Sequence, residues 1–426
     1  MAIVLPDFRI PIKERTTPRS WRQTLAAIAF FIVFNFGCIM IHASQFVFLL
    51  PLRLIPLPLF RKMYDEGIRY TKGAFGCLLI LMCQWFAPTT FHITFEREGL
   101  GAFTQAQIDE IVVRNEDGGV EALNLPNKFV LVANHQVYLD WWYVWCLFYY
   151  MGPHGAHRDV YITLKKSLQW VPIIGWGMQF FNFIFLARSW ASDRAQLAAS
   201  LASLSKTVEE EDTPLAFVLY PEGTLVSPNT RPISKKFADK LGISDMDYTL
   251  LPRSTGLLYS LRSLAPRLPD LKLLDVTMVY PGIATLGTGR SPYGQDYYTM
   301  RSVFFDGVQP PTVHLHLRLF DVRSVPIGDM SASNPAATPS LDKSAVEVDI
   351  PVQEKEAFDE WLRILWKNKD ESIERFHKDG SFVNGPKPDA LIPLKLKHRR
   401  NYFDAFCFFL PAMLGHLWRC GGAAAH

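Results

Sequence analysis

Charge is what this sequence is short of. Only 20% of its 426 residues are Asp, Glu, Lys or Arg, against about 25% in an ordinary soluble domain. The 44 basic and 41 acidic residues nearly cancel, leaving a net charge of +3. That excludes an electrostatic nucleic-acid binder, which needs a strongly basic face. No Cys-x-x-Cys pair occurs among the six cysteines. Cys38, Cys77, Cys83, Cys146 and Cys407 lie in apolar runs and Cys420 is near the end, so reduced thiols acting as small hydrophobes are expected, not a disulfide framework. Asn-x-Ser/Thr acceptors are missing too, in keeping with a cytosol-facing domain. What is abundant is apolar: 49% hydrophobic and 13% aromatic residues exclude a mainly disordered chain. The length suggests one large domain with appendages, or two to three domains.

The apolar residues are unevenly placed. Gln23 to Leu52 is a run of 30 residues without a charge, and Gly73 to Phe95 is another of 23. About 20 apolar residues cross a bilayer core, so the two runs together predict an N-terminal membrane hairpin over 1–100. Arg9, Lys13, Arg15, Arg19 and Arg22 precede the first run, and Arg53, Arg61, Lys62, Arg69 and Lys72 lie between the two. With basic flanks on both sides, the positive-inside rule sets no orientation, and a re-entrant or interfacial hairpin with both flanks on the cytosolic side fits that symmetry. A third run of 14 residues, Ala405 to Trp418, follows the basic stretch KLKHRR. It predicts a transmembrane or an interfacial helix over 401–426, both readings standing. A fourth charge-free stretch, Ser167 to Ala187, is broken by Pro172, Gly175 and Gly177, which favours a buried loop, strand and pocket wall over a span.

Between and after these runs the pattern is that of an α/β domain. Buried strands are expected at Lys128–Ala133, Leu215–Tyr220 and Leu274–Tyr280, a weaker one at Asp159–Leu164 and a half-exposed one at Val313–Leu319. Helices are expected at Val137–Met151, after Ser192 as N-cap with Asp193 in the first turn, and over Glu354–Lys369. Strands alternating with helices predict a largely parallel mixed sheet flanked by helices, here over 101–325. A Ser-, Ala- and Pro-rich flexible insertion is expected over 326–350 and an amphipathic helical segment over 351–400.

Two places carry chemistry. The first strand ends in Asn134-His135, with Asp140 five residues later. On one ideal helix these two side chains would point about 140° apart. They meet if His135 sits in the strand–helix turn and Asp140 in the first helical turn. A carboxylate on one imidazole nitrogen fixes the tautomer and frees the other to accept a proton from a hydroxyl. A capping histidine with a dipole-complementing Asp is the bland alternative. The second place is Tyr220-Pro221-Glu222-Gly223-Thr224, a tight turn after a buried strand. Strand ends of open α/β sheets are where ligands bind; Gly223 lets backbone approach a ligand closely, and Glu222 can accept from a substrate hydroxyl or orient an arginine. His314 and His316 share a strand face, but no third metal ligand follows at a usable spacing, and no metal is expected.

Taken together, these segments resemble the glycerolipid and lysophospholipid acyltransferases. NHQVYLD at 134–140, FIFLAR at 183–188, YPEGT at 220–224 and VTMVYP at 276–281 are similar to that family's four boxes. They occur in the family's order, 53 residues from His135 to Arg188, 34 more to Glu222 and 59 more to Pro281. LKKSLQWVPIIGWGMQ, KKFADKLG and LLPRSTG resemble the branch containing the lysocardiolipin and lysophosphatidylinositol acyltransferases. Leu225 stands where many relatives carry arginine after the third box, which argues against a simple phosphatidic-acid-forming enzyme.

The resemblance implies acyl transfer from acyl-CoA to the free hydroxyl of a lysophospholipid (lysophosphatidylinositol, lysocardiolipin or lysophosphatidic acid). His135 would be the base and Asp140 its partner, with oxyanion donors among backbone N–H groups near the helix start. Lys165, Arg188 and Arg253 would bind the acceptor phosphate, and Glu222, Gly223 and Thr224 the acceptor. No cofactor is implied beyond acyl-CoA as co-substrate. The partners implied are acyl-CoA, a lysophospholipid and the bilayer, in the endoplasmic reticulum membrane or a mitochondrial one, with the active site facing the cytosol. The competing readings are an enzyme specific for lysophosphatidic acid, a lipid hydrolase and a non-catalytic membrane scaffold.

Overall fold

The computed structural model describes residues 6–153, 155–187, 190–329, 350–382 and 388–408. Arg188, most of the expected insertion and the C-terminal run beyond Phe408 lie outside the described residues, as does Cys420.

The first apolar run forms helix α1 (Trp21–Ser44), opened by a capping box in which Ser20 and Gln23 exchange side-chain and backbone bonds. It continues through a π-helical turn, Gln45–Leu49, to Arg53. This 33-residue helix is long and apolar enough to cross a bilayer. One side buries Phe30, Phe34, Cys38 and Ile41, while Phe31, Ile32, Phe36 and Ile39 stay exposed.

Helix α2 (Pro58–Phe86) packs along α1. Gly37 makes the approach possible, because a Cβ there would lie 2.7 Å from the Leu78 methyls. The second apolar run is covered by protein, and α1 is the one helix among the described residues long and apolar enough to cross a bilayer, so the expected membrane hairpin is supported for its first helix alone. Cys77 to Cys83 are at most 2% exposed, and after Phe86 the run turns into strand β1 (Thr90–Phe95). A core helix and a membrane helix share the same lack of charge, so the charge-free run alone does not separate them.

The remaining strands are β2 (Val112–Arg114), β3 (Val120–Leu123), β4 (Lys128–Ala133), β5 (Val160–Lys165), β6 (Ile184–Leu186), β7 (Leu215–Leu219), β8 (Lys272–Val279), β9 (Thr312–Asp321) and β10 (Ala390–Pro393). β2 and β3 pair with each other. The other eight form one sheet in the order β10-β1-β9-β8-β4-β7-β5-β6. From β8 to β6 every pairing is parallel, and antiparallel pairing occurs at β8–β9 and β1–β10. The expected largely parallel mixed sheet is therefore present. It takes β1 and β10 from outside 101–325. β9 is buried along most of its length instead of half-exposed, because its flanks are covered on both faces.

Helices cover both faces, as parallel sheets require. Along β4, Phe129, Leu131 and Ala133 face one core with α1, α2 and α3 (Asp140–Tyr150). Val130 and Val132 face the other, with α4 (Trp190–Glu211), α6 (Ser254–Leu264) and α7 (Val352–Asp379). Helix α5 (Arg231–Leu241), between α4 and α6 in the chain, is mostly exposed. α4 begins at Trp190, ahead of the expected N-cap, and its Asp193 carboxylate accepts the Ala187 N–H at 2.7 Å. The 167–187 stretch forms the short helix Ile174–Phe180 and β6, but leaves Trp170, Val171 and Trp176 exposed, so only part of it is buried. The five described cysteines are buried and free, as the sequence suggested.

Candidate active site

The parallel strands end along one edge. There β4 leads into Asn134-His135, β7 into Tyr220–Gly223, β8 into Tyr280 and β5 finishes at Lys165. The chain closes this edge with side chains that replace ladder bonds. Asn134, fully buried, donates from Nδ2 to the Met278 carbonyl at 2.9 Å and accepts the Met278 N–H at 2.8 Å. It thereby locks the end of β4 to β8.

His135 follows in the turn, and Asp140 opens α3, the geometry that lets residues five apart meet. His135 Nδ1 lies 2.7 Å from Asp140 Oδ2. The carboxylate has no exposed surface and is held from every side. Oδ2 also accepts the backbone N–H groups of Gln136 and Val137, at 2.7 and 3.0 Å. Oδ1 accepts the Tyr280 hydroxyl at 2.6 Å. Burial, reinforced by the Asp140 charge, raises the Tyr280 phenol well above its usual value, so it remains a donor. The backbone N–H groups of 136 and 137 are thus spent on Asp140.

The imidazole side chain is 22% exposed and its ring lies 4.7 Å from that of Tyr220. Nε2 has no hydrogen-bond partner among the described residues. An imidazole oriented through Nδ1, with Nε2 open, is the arrangement of a general base.

The 220–226 loop wraps this couple. Glu222 Oε1 accepts the His135 N–H at 3.3 Å and the Trp366 indole N–H at 3.4 Å, while Oε2 accepts the Leu250 N–H at 3.1 Å. The Val226 N–H then donates to the His135 carbonyl at 3.0 Å. His135 is therefore pinned through its main chain on both sides. Glu222 is 2% exposed, and burial raises it to about 8 against the pull of its three N–H donors and Lys369. Its oxygens are taken up by the protein, which makes it a brace for His135 and not a wall of the substrate space. Gly223 adopts φ +71, a conformation glycine takes freely. Both Gly223 and Arg253 are exposed, with the arginine chain alongside the glycine, and Thr224 is half-buried.

Lys165 is exposed at the end of β5, two strands from β4, or about 10 Å at ordinary strand spacing. Arg188 is outside the described residues. His314 and His316 do not form a metal site: His316 sits between Thr94, at 2.9 Å, and Glu96, at 3.3 Å, and His314 contacts Thr312. No cluster of three metal-binding side chains occurs among the described residues.

Sequence reasoning missed Tyr280, Trp366 and Lys369. Tyr280 had a local signal, because it precedes the proline of the fourth box. Trp366 and Lys369 had none. They reach the site from α7, where Lys369, fully buried, pairs with Asp275 at 2.7 Å and donates to the Val276 carbonyl at 2.9 Å.

Residues 114–280 match the family model described as Acyltransferase. The chain is 31% identical to the 2-acyl-1-lysophosphatidylinositol acyltransferase of Saccharomyces cerevisiae, over 78% of this chain and 81% of that one. It is 30% identical to the lysophosphatidylinositol acyltransferase 10 of Caenorhabditis elegans, over 63% and 58% of the two chains. Against the lysocardiolipin acyltransferase 1 of Danio rerio the figure is 28%, over 59% and 53%. A histidine–carboxylate couple on the open edge of a parallel sheet, within a region that the family model spans, places this chain in the acyltransferase family, as one of its enzymes.

Proposed function

We propose that this enzyme transfers a fatty acyl group from acyl-CoA to the free hydroxyl of a lysophospholipid at a membrane surface. The observation that carries the reading is the 2.7 Å contact from His135 Nδ1 to the buried Asp140, with Nε2 left open. Nε2 takes the acceptor's hydroxyl proton as the oxygen attacks the thioester carbonyl carbon. The tetrahedral adduct collapses with cleavage of the C–S bond, and the imidazolium returns the proton to the departing sulfur. Asp140 stabilises the imidazolium and keeps the tautomer. This single displacement needs no acyl-enzyme and no cofactor; acyl-CoA is a co-substrate.

Lys165, Arg188 and Arg253 bind the acceptor phosphate, and Gly223 and Thr224 shape the turn beside it. Lysophosphatidylinositol is the first acceptor to test, because the relative named for it aligns over most of both chains. Lysocardiolipin is the second. Lysophosphatidic acid ranks lower, since Leu225 is buried where an arginine would be needed. The exposed apolar face of α1 holds the enzyme on the bilayer, in the endoplasmic reticulum or a mitochondrial membrane, with the site toward the cytosol.

Microsomes carrying the chain, labelled acyl-CoA and a panel of lysophospholipids test this. Transfer to phosphate-bearing acceptors should exceed that to monoacylglycerol by about tenfold or more, the worth of one charge-assisted contact, and His135→Ala should abolish it. Equal transfer to monoacylglycerol would defeat the phosphate assignment. Acyl-CoA cleavage that proceeds as fast without acceptor would make the protein a hydrolase.

A further inference from the structure

A chamber lies on the opposite rim of the sheet from His135. It measures about 1440 Å³ and opens between the first half of α2, helix α4 and the β5–β6 edge. Its floor includes Asp159 and Thr213, which precede β5 and β7. His135 and Glu222 follow the other ends of β4 and β7, and a five-residue strand is about 16 Å long. The chamber is therefore separate from the catalytic couple.

Lys72 enters this chamber from α2. It is 1% exposed, and its ammonium lies 3.7 Å from the centre of the Tyr161 ring. Among the described residues the ammonium meets no hydrogen-bond acceptor, and burial lowers its pKa to about 7 against the attraction of Asp159. A buried cation with only a ring face for company is costly unless a counter-charge completes it. Asp159 is already occupied: Arg69 holds its two oxygens at 2.6 and 3.2 Å. Of the other acids lining the chamber, Glu210 lies 3.7 Å from Lys206, Asp65 sits toward Arg61 and Arg53, and Glu211 lies near Asp65 on the Tyr161 side. Lys72 is thus a buried lining cation that no carboxylate among the described residues hydrogen-bonds.

We propose that this chamber binds a phosphate group, with Lys72 as its anchor. A phosphate oxygen at the ammonium supplies the missing charge-assisted hydrogen bond. Asn182, Thr207 and Thr213 add neutral donors on the walls. The mouth runs along Arg53 to Pro58, where Leu54 and Leu57 are exposed at the end of the apolar helix. A phospholipid alongside that helix would bring its headgroup phosphate to this mouth. Free phosphate shares the chemistry without needing the helix.

The test uses the full-length protein in a phosphate-free non-ionic detergent. Reductive methylation of Lys72 is followed by mass spectrometry with dihexanoyl-phosphatidylglycerol, inorganic phosphate or dihexanoylglycerol present. Phosphatidylglycerol should slow labelling at Lys72 severalfold while dihexanoylglycerol does not. Equal protection by inorganic phosphate at the same concentration would still support the site and name free phosphate as its source. Labelling unchanged by either phosphate, or slowed equally by dihexanoylglycerol, would overturn the proposal. Lys72→Met, apolar and of similar length, should fold and turn over acceptor at the wild-type rate. Loss of turnover with an unchanged melting temperature would show that the chamber belongs to the catalytic path and overturn its independence.

Discussion

Asp140 accepts from an imidazole, two backbone N–H groups and a phenol. Asparagine in its place has one acceptor oxygen and turns an N–H₂ group toward donors. The histidine tautomer then inverts and Nε2 carries the proton it should receive. Asp140→Asn should lower kcat by about 10³- to 10⁴-fold with little change in KM. Steady-state kinetics check this, and near-normal kcat would remove the couple from the mechanism. Glu222 gives a pH signature of a different kind. Its folded value, about 8, lies above the usual 4.5 because of burial. Between those values the folded chain holds a proton that the unfolded chain has released, so stability falls as pH rises through that window. Glu222→Gln, neutral throughout, should flatten that slope. Melting temperatures of both proteins at the two ends of the window decide it, and identical slopes would refute the buried-carboxyl account.

At the level of elements, the 220–226 turn joins strand β7 to the brace on His135. Gly223 at φ +71 has only the Arg253 chain near its missing Cβ, at 3.7 Å, an ordinary contact. The cost of Gly223→Ala is therefore conformational, about 1–2 kcal/mol. Gly223→Asn, which tolerates left-handed backbone better, should retain more activity than Gly223→Val at equal expression. Equal activity in the two would show that the backbone conformation does not matter. The elements themselves differ in how legible they were. β4 and the histidine turn could be read locally, because a run of β-branched residues ends in polar ones within a few positions. The meeting of His135 with Asp140 was also readable, since it depends on a strand–helix turn that the same short stretch specifies. The role of the Gly73–Phe95 run was not legible, because burial by protein and burial by lipid select the same apolar residues. Trp366 and Lys369 were invisible because they sit some 140 residues from Glu222 in sequence, and no local pattern encodes that contact. The bracing role of Glu222 was hidden for the same reason.

For the whole molecule, the exposed face of α1 concentrates Phe31, Ile32, Phe36 and Ile39 on one side. Replacing these four with serine should release the protein from membranes in alkaline carbonate extraction. Turnover of a detergent-dispersed acceptor should survive, because the opposite side of α1, with Phe34 and Ile41, still packs on the core. Retention in the pellet would assign membrane attachment to another surface. The two-sided pinning of His135 has a broader consequence. A base whose amide and carbonyl are both tied to the same loop cannot swing toward its reactants, so the reactants must be delivered to it. Under the function proposed above, discrimination among headgroups would then fall to residues outside that clamp, on the β5 side and around Arg253. These can be exchanged without retuning the proton transfer, which makes acceptor choice and chemistry separable engineering problems in this enzyme.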